Sequence, residues 1–323
     1  MTTPLLSVRG LTKHYHVGRG ARLWGETVVV RALEDASFDV RRGETFAVIG
    51  ESGSGKSTLA RVLLGLEAPT AGTAAFDGTD LLGASGAVRT TLRRRVQAVF
   101  QDPYGSLNPS HRIDSIISEP WLIHKSVRPA DQAAEVVRLL EAVGLGADMA
   151  RRYPHQLSGG QRQRIGIARA LATSPDLVVC DEPLSALDVS VQSQVLNLLL
   201  DLQAERGLSF LFIGHDLGIV RLIATRVAVV YLGRIVEMAD ARDLFAAPRH
   251  PYTKALLSAV SKPRGQAASS HRIVLAGAPP SPADPPSGCP FRTRCWKAQA
   301  RCAEERPPLV GASHAVACHF PES

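Results

Sequence analysis

The sequence predicts an α/β domain built on a mainly parallel sheet, followed by a small cysteine-rich C-terminal extension. Three observations carry this reading. A short apolar run, Thr45–Ile49, ends in a glycine-rich turn and leads into a helical pattern. From Leu177 to Ile223, apolar strands alternate with helical stretches, as parallel strands with helical crossovers require. Four cysteines, Cys289, Cys295, Cys302 and Cys318, then crowd into the end of the chain.

The elements follow in order. The first forty residues read as strands, Leu5–Arg9 and Val28–Val40, rich in β-branched and apolar side chains, with a loop at 18–21 between them. Thr45–Ile49 suits a buried parallel strand. A helix is expected over Lys56–Leu66. From Ile113 to Arg152 the pattern is helical: Val136, Leu139, Leu140 and Val143 share one face, and Gly144 and Gly146 punctuate its end. Gly160–Thr173 forms a further helix. Leu177–Cys180, Val189–Arg206, Phe210–Ile213 and Leu217–Ile223 read strand, helix, strand, helix. Val227–Tyr231 and Ile235–Met238 form a hairpin split by Gly233-Arg234. After Ser261 the composition shifts: 262–270 is polar and 278–287 proline-rich, reading as linker around a short strand at Arg272–Leu275.

With 323 residues, 45% hydrophobic and 21% charged, the chain can bury a substantial core. Its net charge of +7 suits polyanions: nucleotides, nucleic acid or an anionic membrane face. No apolar run reaches the length of a membrane span, and the first residues lack the pattern of a secretory signal. A cytoplasmic protein is expected, with any membrane contact made through partners. In a reducing compartment, four clustered cysteines suggest a metal site more than disulfides. Cys180 stands apart and reads as a small buried hydrophobe.

The stretch Gly50-Glu51-Ser52-Gly53-Ser54-Gly55-Lys56-Ser57-Thr58 fits the phosphate-binding pattern G-x4-G-K-[ST] and lies between a predicted strand and a predicted helix. Glycines let the backbone curl so that several N–H groups face one phosphate, and the helix N-terminus adds positive potential. Lys56 can reach the β- and γ-phosphates, and Ser57 can hold magnesium. The apolar strand Leu177–Cys180 ends in Asp181 and Glu182. Asp181 can bind magnesium through water, and Glu182 is placed to polarise an attacking water. Leu157-Ser158-Gly159-Gly160-Gln161 precedes a helix and is a second phosphate-binding device. One nucleotide uses one phosphate loop, so this second device is expected to meet a nucleotide held by another subunit.

Residues 157–161 resemble the signature of ABC ATPases, and the other motifs fall into that family's order. Gln101 resembles the Q-loop glutamine, Ser185-Ala186-Leu187-Asp188 the D-loop, His215 the switch histidine and Tyr15 the aromatic residue that stacks on adenine. The resemblance is closest to oligopeptide and dipeptide permease ATPases. It is carried by 100–109, 180–190, the stretch His250–Leu256 and the tail Pro286-Ser287-Gly288-Cys289. Ser185 and Ser190 match the F-type subunit better than the D-type, which tends to have threonine there. The resemblance implies an ABC ATPase domain over 1–261, with a helical subdomain at about 102–156 and an antiparallel β-subdomain, and an extension over 262–323.

It further implies a head-to-tail dimer with a D-type ATPase, two membrane-spanning permease subunits and an extracytoplasmic substrate-binding protein, at the cytoplasmic face of the membrane. ATP and magnesium are the expected ligands. Ser57, Asp181 and Gln101 would organise magnesium, and Glu182, His215, Lys56 and Gln101 would serve hydrolysis. Ser158–Gln161 and Asp188 would complete the partner's site, and 104–109 would dock the membrane subunit. Peptides are the expected cargo; nickel, glutathione or another small solute is the alternative. A nucleic-acid ABC ATPase is disfavoured, because such proteins usually carry a long insertion between phosphate loop and signature, and only 59–156 lies between them here. Four thiolates are what a [4Fe–4S] cluster takes, and the resemblance points the same way. Zinc is the rival, although no cysteine pair has the short spacing of a zinc knuckle. Four metal-free cysteines are the third possibility.

Overall fold

The computed structural model describes residues 3–18, 27–102, 104–259 and 272–322. In chain order the elements begin β1 (Leu6–Gly18), β2 (Thr27–Val40), β3 (Thr45–Ile49), α1 (Lys56–Leu63), β4 (Ala71–Phe76), β5 (Thr79–Asp80), α2 (Gly86–Arg95) and β6 (Val96–Val99). They continue α3 (Ile113–Ile123), α4 (Gln132–Ala142), α5 (Gly159–Leu171), β7 (Leu177–Asp181), α6 (Val189–Arg206), β8 (Ser209–Gly214) and α7 (Leu217–Ile223). The last are β9 (Arg226–Tyr231), β10 (Arg234–Asp240), α8 (Ala241–Ala246), α9 (Pro251–Ser258), α10 (Ala300–Glu304) and β11 (His314–Val316). They fall into two compact units.

The first unit comprises 1–5, 40–45 and 76–213. Its strands β6, β7 and β8 run parallel, with Val99, Cys180 and Phe212 in register. All but the last residue of β7 are buried, and all of β8 is, as a parallel strand covered on both faces must be. Cys180 is fully buried, and loss of solvent pushes its thiol far up. The predicted apolar face of α4, Val136, Leu139 and Leu140, is buried, as are Ile113, Ile116 and Ile117 of α3. Trp121 is the largest fully buried side chain, and its indole N–H donates to the Ala172 carbonyl at 2.7 Å.

The second unit comprises 6–39, 46–75 and 214–323. In it β1 lies between β2 and β4. A second set runs β3, β9, β10, β11, with β3 parallel to β9 and the remaining pairs antiparallel. The last strand, β11, belongs to the cysteine-rich extension, which is thereby built into this sheet. Beneath the junction lies Glu237 on β10, with no exposed surface. Its carboxylate accepts the N–H groups of Arg249 (2.7 Å) and His250 (2.9 Å) and pairs with His314 Nε2 at 2.6 Å. Burial pushes the His250 imidazole down to about 3. The neutral ring accepts the Tyr252 N–H on Nδ1, capping α9.

The structure corrects one expected element. Arg272–Leu275 is not a strand. Its Ile273 N–H donates to the Ser258 hydroxyl, and Val274 is 82% exposed. Ile273, Val274 and Leu275 follow one another without alternation, so the segment offers no single apolar face to hold it against a sheet. The proline-rich stretch is docked by its backbone, with Pro282 O accepting the Arg31 N–H at 3.0 Å. The polar linker at 262–270 and most of the loop between β1 and β2 lie outside the described residues. Among the described residues, no helix is long and apolar enough to cross a membrane.

Because Glu237 satisfies donors from three positions, Glu237→Ala is expected to cost about 3 kcal/mol or more of stability, since each buried donor left unpaired costs about 1–3 kcal/mol. Urea unfolding checks this; a loss below about 1 kcal/mol would assign the carboxylate no structural weight.

Candidate functional site

In the second unit, β3 runs directly into the loop at 50–55 and then into α1. Gly53 and Gly55 take φ values of 77° and 102°, a region glycine enters without penalty. A Cβ on Gly55 would collide with the carbonyl oxygen of Ala32 on β2. The loop is pinned internally: Ser54 N–H donates to Glu51 O at 3.2 Å, and Gly233 N–H to Ser54 O at 2.9 Å. Lys56 is buried, with Nζ donating to Gly50 O (2.8 Å) and Glu51 O (2.9 Å). The loop leads straight into the N-terminus of α1, which has no acidic residue in its first turn. A helix N-terminus of this kind favours negative charge. Ser57 and Thr58 open the helix there. The Tyr15 hydroxyl lies beside Thr58 and bonds Glu67; burial and that carboxylate hold its proton on. Lys13 Nζ stands 4.9 Å from the Tyr15 ring centre.

In the first unit, β7 carries Asp181 at its end. Glu182, the next residue, has φ 48°, a left-handed conformation that costs a non-glycine residue on the order of 1–3 kcal/mol. Its N–H still reaches Ile213 O at 2.9 Å, and Ser185 Oγ donates to its carbonyl at 3.0 Å. These bonds hold the strained turn. Gln101 Nε2 donates to Glu182 Oε2 at 3.2 Å, so the two predicted side chains touch directly. Ser158 and Gln161 close a reciprocal cap on α5: Ser158 N–H to Gln161 Oε1 at 2.9 Å, and Gln161 N–H to Ser158 Oγ at 3.3 Å. Leu157 is buried behind them. A Cβ on Gly160 would strike Val191 of α6, so this glycine lets α5 and α6 pack closely. Asp188 is exposed at the start of α6. In the second unit, His215 is exposed just after β8, and Asp216 caps α7 through Gly218 and Ile219 N–H.

Two arginines of α5 hold the segment after Gln101. The Arg162 guanidinium lies 3.8 Å from the Tyr104 ring centre, and Arg169 Nη1 donates to Ser106 O at 2.6 Å. Tyr104 itself is 65% exposed. Beside this segment, Thr90, Arg93, Phe100, Glu119, Ile123 and Arg169 help line a cavity of about 370 Å³.

The sequence reading did not connect the extension to the phosphate loop. The structure does. Glu51 N–H donates to the Tyr252 hydroxyl at 2.8 Å, and the Glu51 carboxylate pairs with Arg294 at 2.8 and 3.2 Å. These partners lie 201 and 243 positions along the chain, beyond any local pattern. Burial works against the Arg294 charge, and Glu51 and Tyr231 together outweigh it, raising the guanidinium pKa. All four tail cysteines line one small cavity with His250, Phe291 and Phe320, and all are free thiols. Among the described residues, no group of three or more His, Cys, Asp or Glu side chains is placed to hold a metal ion.

Residues 33–185 match the family model of ABC transporters, and 236–302 match the oligopeptide/dipeptide transporter C-terminal region. The chain is 50% identical over 307 residues to the dipeptide transport ATP-binding protein DppF of Haemophilus influenzae, covering 95% of this chain and 93% of that one. The chain belongs to the oligopeptide/dipeptide family of ABC transporter ATP-binding proteins. Within that family it is also 49% identical over 321 residues to the putative oligopeptide transport ATP-binding protein YkfD of Bacillus subtilis, covering 98% of this chain and 95% of YkfD. Among solved structures, the ATP-binding cassette MJ0796, a post-hydrolysis dimer bound to ADP and Pi, superposes with a TM-score of 0.63. It is 27% identical, and the match covers 73% of this chain and 99% of that one.

Gly55→Ala is expected to weaken nucleotide binding at least about tenfold, the effect of roughly 1.4 kcal/mol of strain in the loop. Equilibrium titration with a fluorescent ATP analogue measures it, with thermal unfolding run in parallel. Wild-type affinity in the folded variant would show that the loop tolerates a side chain there.

Proposed function

We propose that this chain binds and hydrolyses ATP to drive import of dipeptides or oligopeptides through an ABC transporter. The observation that carries the reading is the curled loop at 50–58 with its buried Lys56, in a chain about half identical along its length to transport ATP-binding proteins. Residues 1–261 act as the ATPase domain and 262–323 as its extension. The loop N–H groups and Lys56 hold the phosphates. Tyr15 supports the adenine. Ser57, Asp181 and Gln101 hold magnesium, which neutralises phosphate charge when bound. Glu182 takes a proton from the attacking water, and His215 orients that water and the γ-phosphate. Leu157–Gln161 and Asp188 act at the nucleotide of a second ATPase subunit of D type. Peptide cargo is favoured by the relatives' names over nickel, glutathione or another small solute.

Two permease subunits and an extracytoplasmic substrate-binding protein complete the transporter, with this chain on the cytoplasmic face of the membrane. The docking face for a permease is the segment 104–109 and the cavity beside it. Support comes from its exposed Tyr104 and from the two α5 arginines that tie this segment to the helix carrying the signature. A push on the segment is thereby delivered to residues 158–161.

The four cysteines are further proposed to hold a [4Fe–4S] cluster. Their common cavity supports this, as do backbone N–H groups that reach three of the sulfurs: Lys297 to Cys295 and Phe320 to Cys318, each at 3.4 Å, and Phe291 to Cys289. Such N–H···S contacts stabilise thiolates toward iron. Burial pushes the Cys289 thiol up to about 11, and raises Cys295 and Cys318 as well.

Two measurements test these readings. Glu182→Gln is expected to bind ATP and fail to hydrolyse it, so that labelled ATP stays trapped on the assembled transporter; a variant that does not bind ATP would make Glu182 a binding residue. Anaerobic purification is expected to yield iron and acid-labile sulfide in equal amounts; one zinc per chain, or no metal, would remove the cluster.

A further inference from the structure

The entrance to the phosphate loop is held from outside the ATPase motifs. Glu51, second residue of the loop, has three polar groups, and each is taken. Its carbonyl accepts from Lys56, its N–H donates to the Tyr252 hydroxyl, and its carboxylate takes both terminal nitrogens of Arg294. The last two partners lie beyond residue 250, and Arg294 is the residue before Cys295. The Arg294 side chain is only 7% exposed. Phe291 of the extension is buried against Tyr231 and Tyr252, with ring centres 5.2 and 5.4 Å apart. The Arg294–Glu51 pair is therefore forked, with its guanidinium sheltered from water beside an aromatic cluster, the arrangement in which a guanidinium–carboxylate pair fixes geometry as well as charge.

We propose that Arg294 is a positioning residue for the phosphate-binding loop, through which the folded state of the four-cysteine extension sets the affinity for ATP. The inference rests on reading 50–58 as the ATP site. Arg294 touches Glu51 and not the phosphates. Its effect is on where the Glu51 backbone lies, and so on the carbonyl that holds Lys56 and on the first turn of the curl. Losing it loosens ground-state binding of ATP. The water-activating residue, Glu182, is left as it is, so turnover at saturating ATP is preserved. A tail that served as a staple alone would give a different pattern, with lower stability and unchanged ATP affinity.

The test uses the assembled transporter, with ATPase rate measured against ATP concentration, and equilibrium ATP binding measured in the Glu182→Gln background. Arg294→Gln is expected to raise KM and Kd for ATP about tenfold, with kcat within about twofold of wild type. Arg294→Lys, which keeps the charge and loses the fork, is expected to fall between. Glu51→Gln should raise Kd for ATP about as much as Arg294→Gln does, and in the double variant Kd should be no higher than in either alone. Cys289→Ser with Cys302→Ser should raise KM in the wild-type background and add nothing to Arg294→Gln. Wild-type KM and Kd in Arg294→Gln, or additive effects in the double variant, would overturn the proposal. If Arg294→Gln does not fold, Arg294→Lys and Glu51→Gln decide, and wild-type affinity in both overturns it. Lys56→Ala separates the two readings. Normal turnover in Lys56→Ala would sink the ATP site itself. An inactive Lys56→Ala beside an unaffected Arg294→Gln would sink this inference alone.

Discussion

The Glu237 carboxylate, sealed from water, governs how the C-terminal part of the chain is built. A buried carboxylate without partners is far costlier than the hydrogen bonds that satisfy it. Glu237 finds its donors in the backbone of 249–250 and in the ring of His314. Those contacts fix the start of α9 and seat β11 against β10. With α9 fixed, Tyr252 is fixed, and its hydroxyl stands where the Glu51 N–H needs an acceptor. The order of cause runs from one carboxylate on a sheet strand to the first bend of the phosphate loop. The four-cysteine extension closes the same circuit from its other side, through Phe291 and Arg294.

The first unit shows a second economy of contacts. Gln101 and Glu182 meet across a turn in which Glu182 is held in a strained conformation by Ile213 and Ser185. Strain of this kind persists where the surroundings over-determine it, and here the strand ladder and a side-chain hydroxyl do so. A few residues past Gln101, the segment from Tyr104 to Ser106 is bound to α5 by Arg162 and Arg169, while the N-terminus of α5 carries Ser158 and Gln161 locked in a mutual cap. One helix thus reads two places.

Much of this was legible in the sequence where the signal is local. Thr45–Ile49, Val189–Arg206 and Leu217–Ile223 were read with the bounds the structure gives, because an apolar run, a periodic face or a capping aspartate marks them. The candidate residues at 50–58, 157–161 and the end of β7 could be named from sequence because each motif is contiguous. Weak local signals failed. Gly86–Arg95 is a helix with only Leu92 buried, so no periodic face announced it. Arg272–Leu275, a short apolar run expected as a strand, instead has its Ile273 N–H on the Ser258 hydroxyl. The partners of Glu51 were invisible for a different reason: nothing near residue 51 specifies what arrives from 252 and 294. Clustering of the cysteines was plain from spacing, but the pairing of Arg294 beside them with Glu51 was a property of the fold alone.

The reach of Arg294 has a consequence for how the molecule is made. A ribosome releases the phosphate loop long before it releases the extension, and domains fold as they emerge. The strand, loop and first helix can form early, yet Arg294, which pairs with the Glu51 carboxylate, lies 243 positions further along the chain. A nascent or truncated chain therefore holds a phosphate loop without its latch. Arrival of Tyr252 and Arg294, rather than formation of the motif, completes the set of contacts on Glu51.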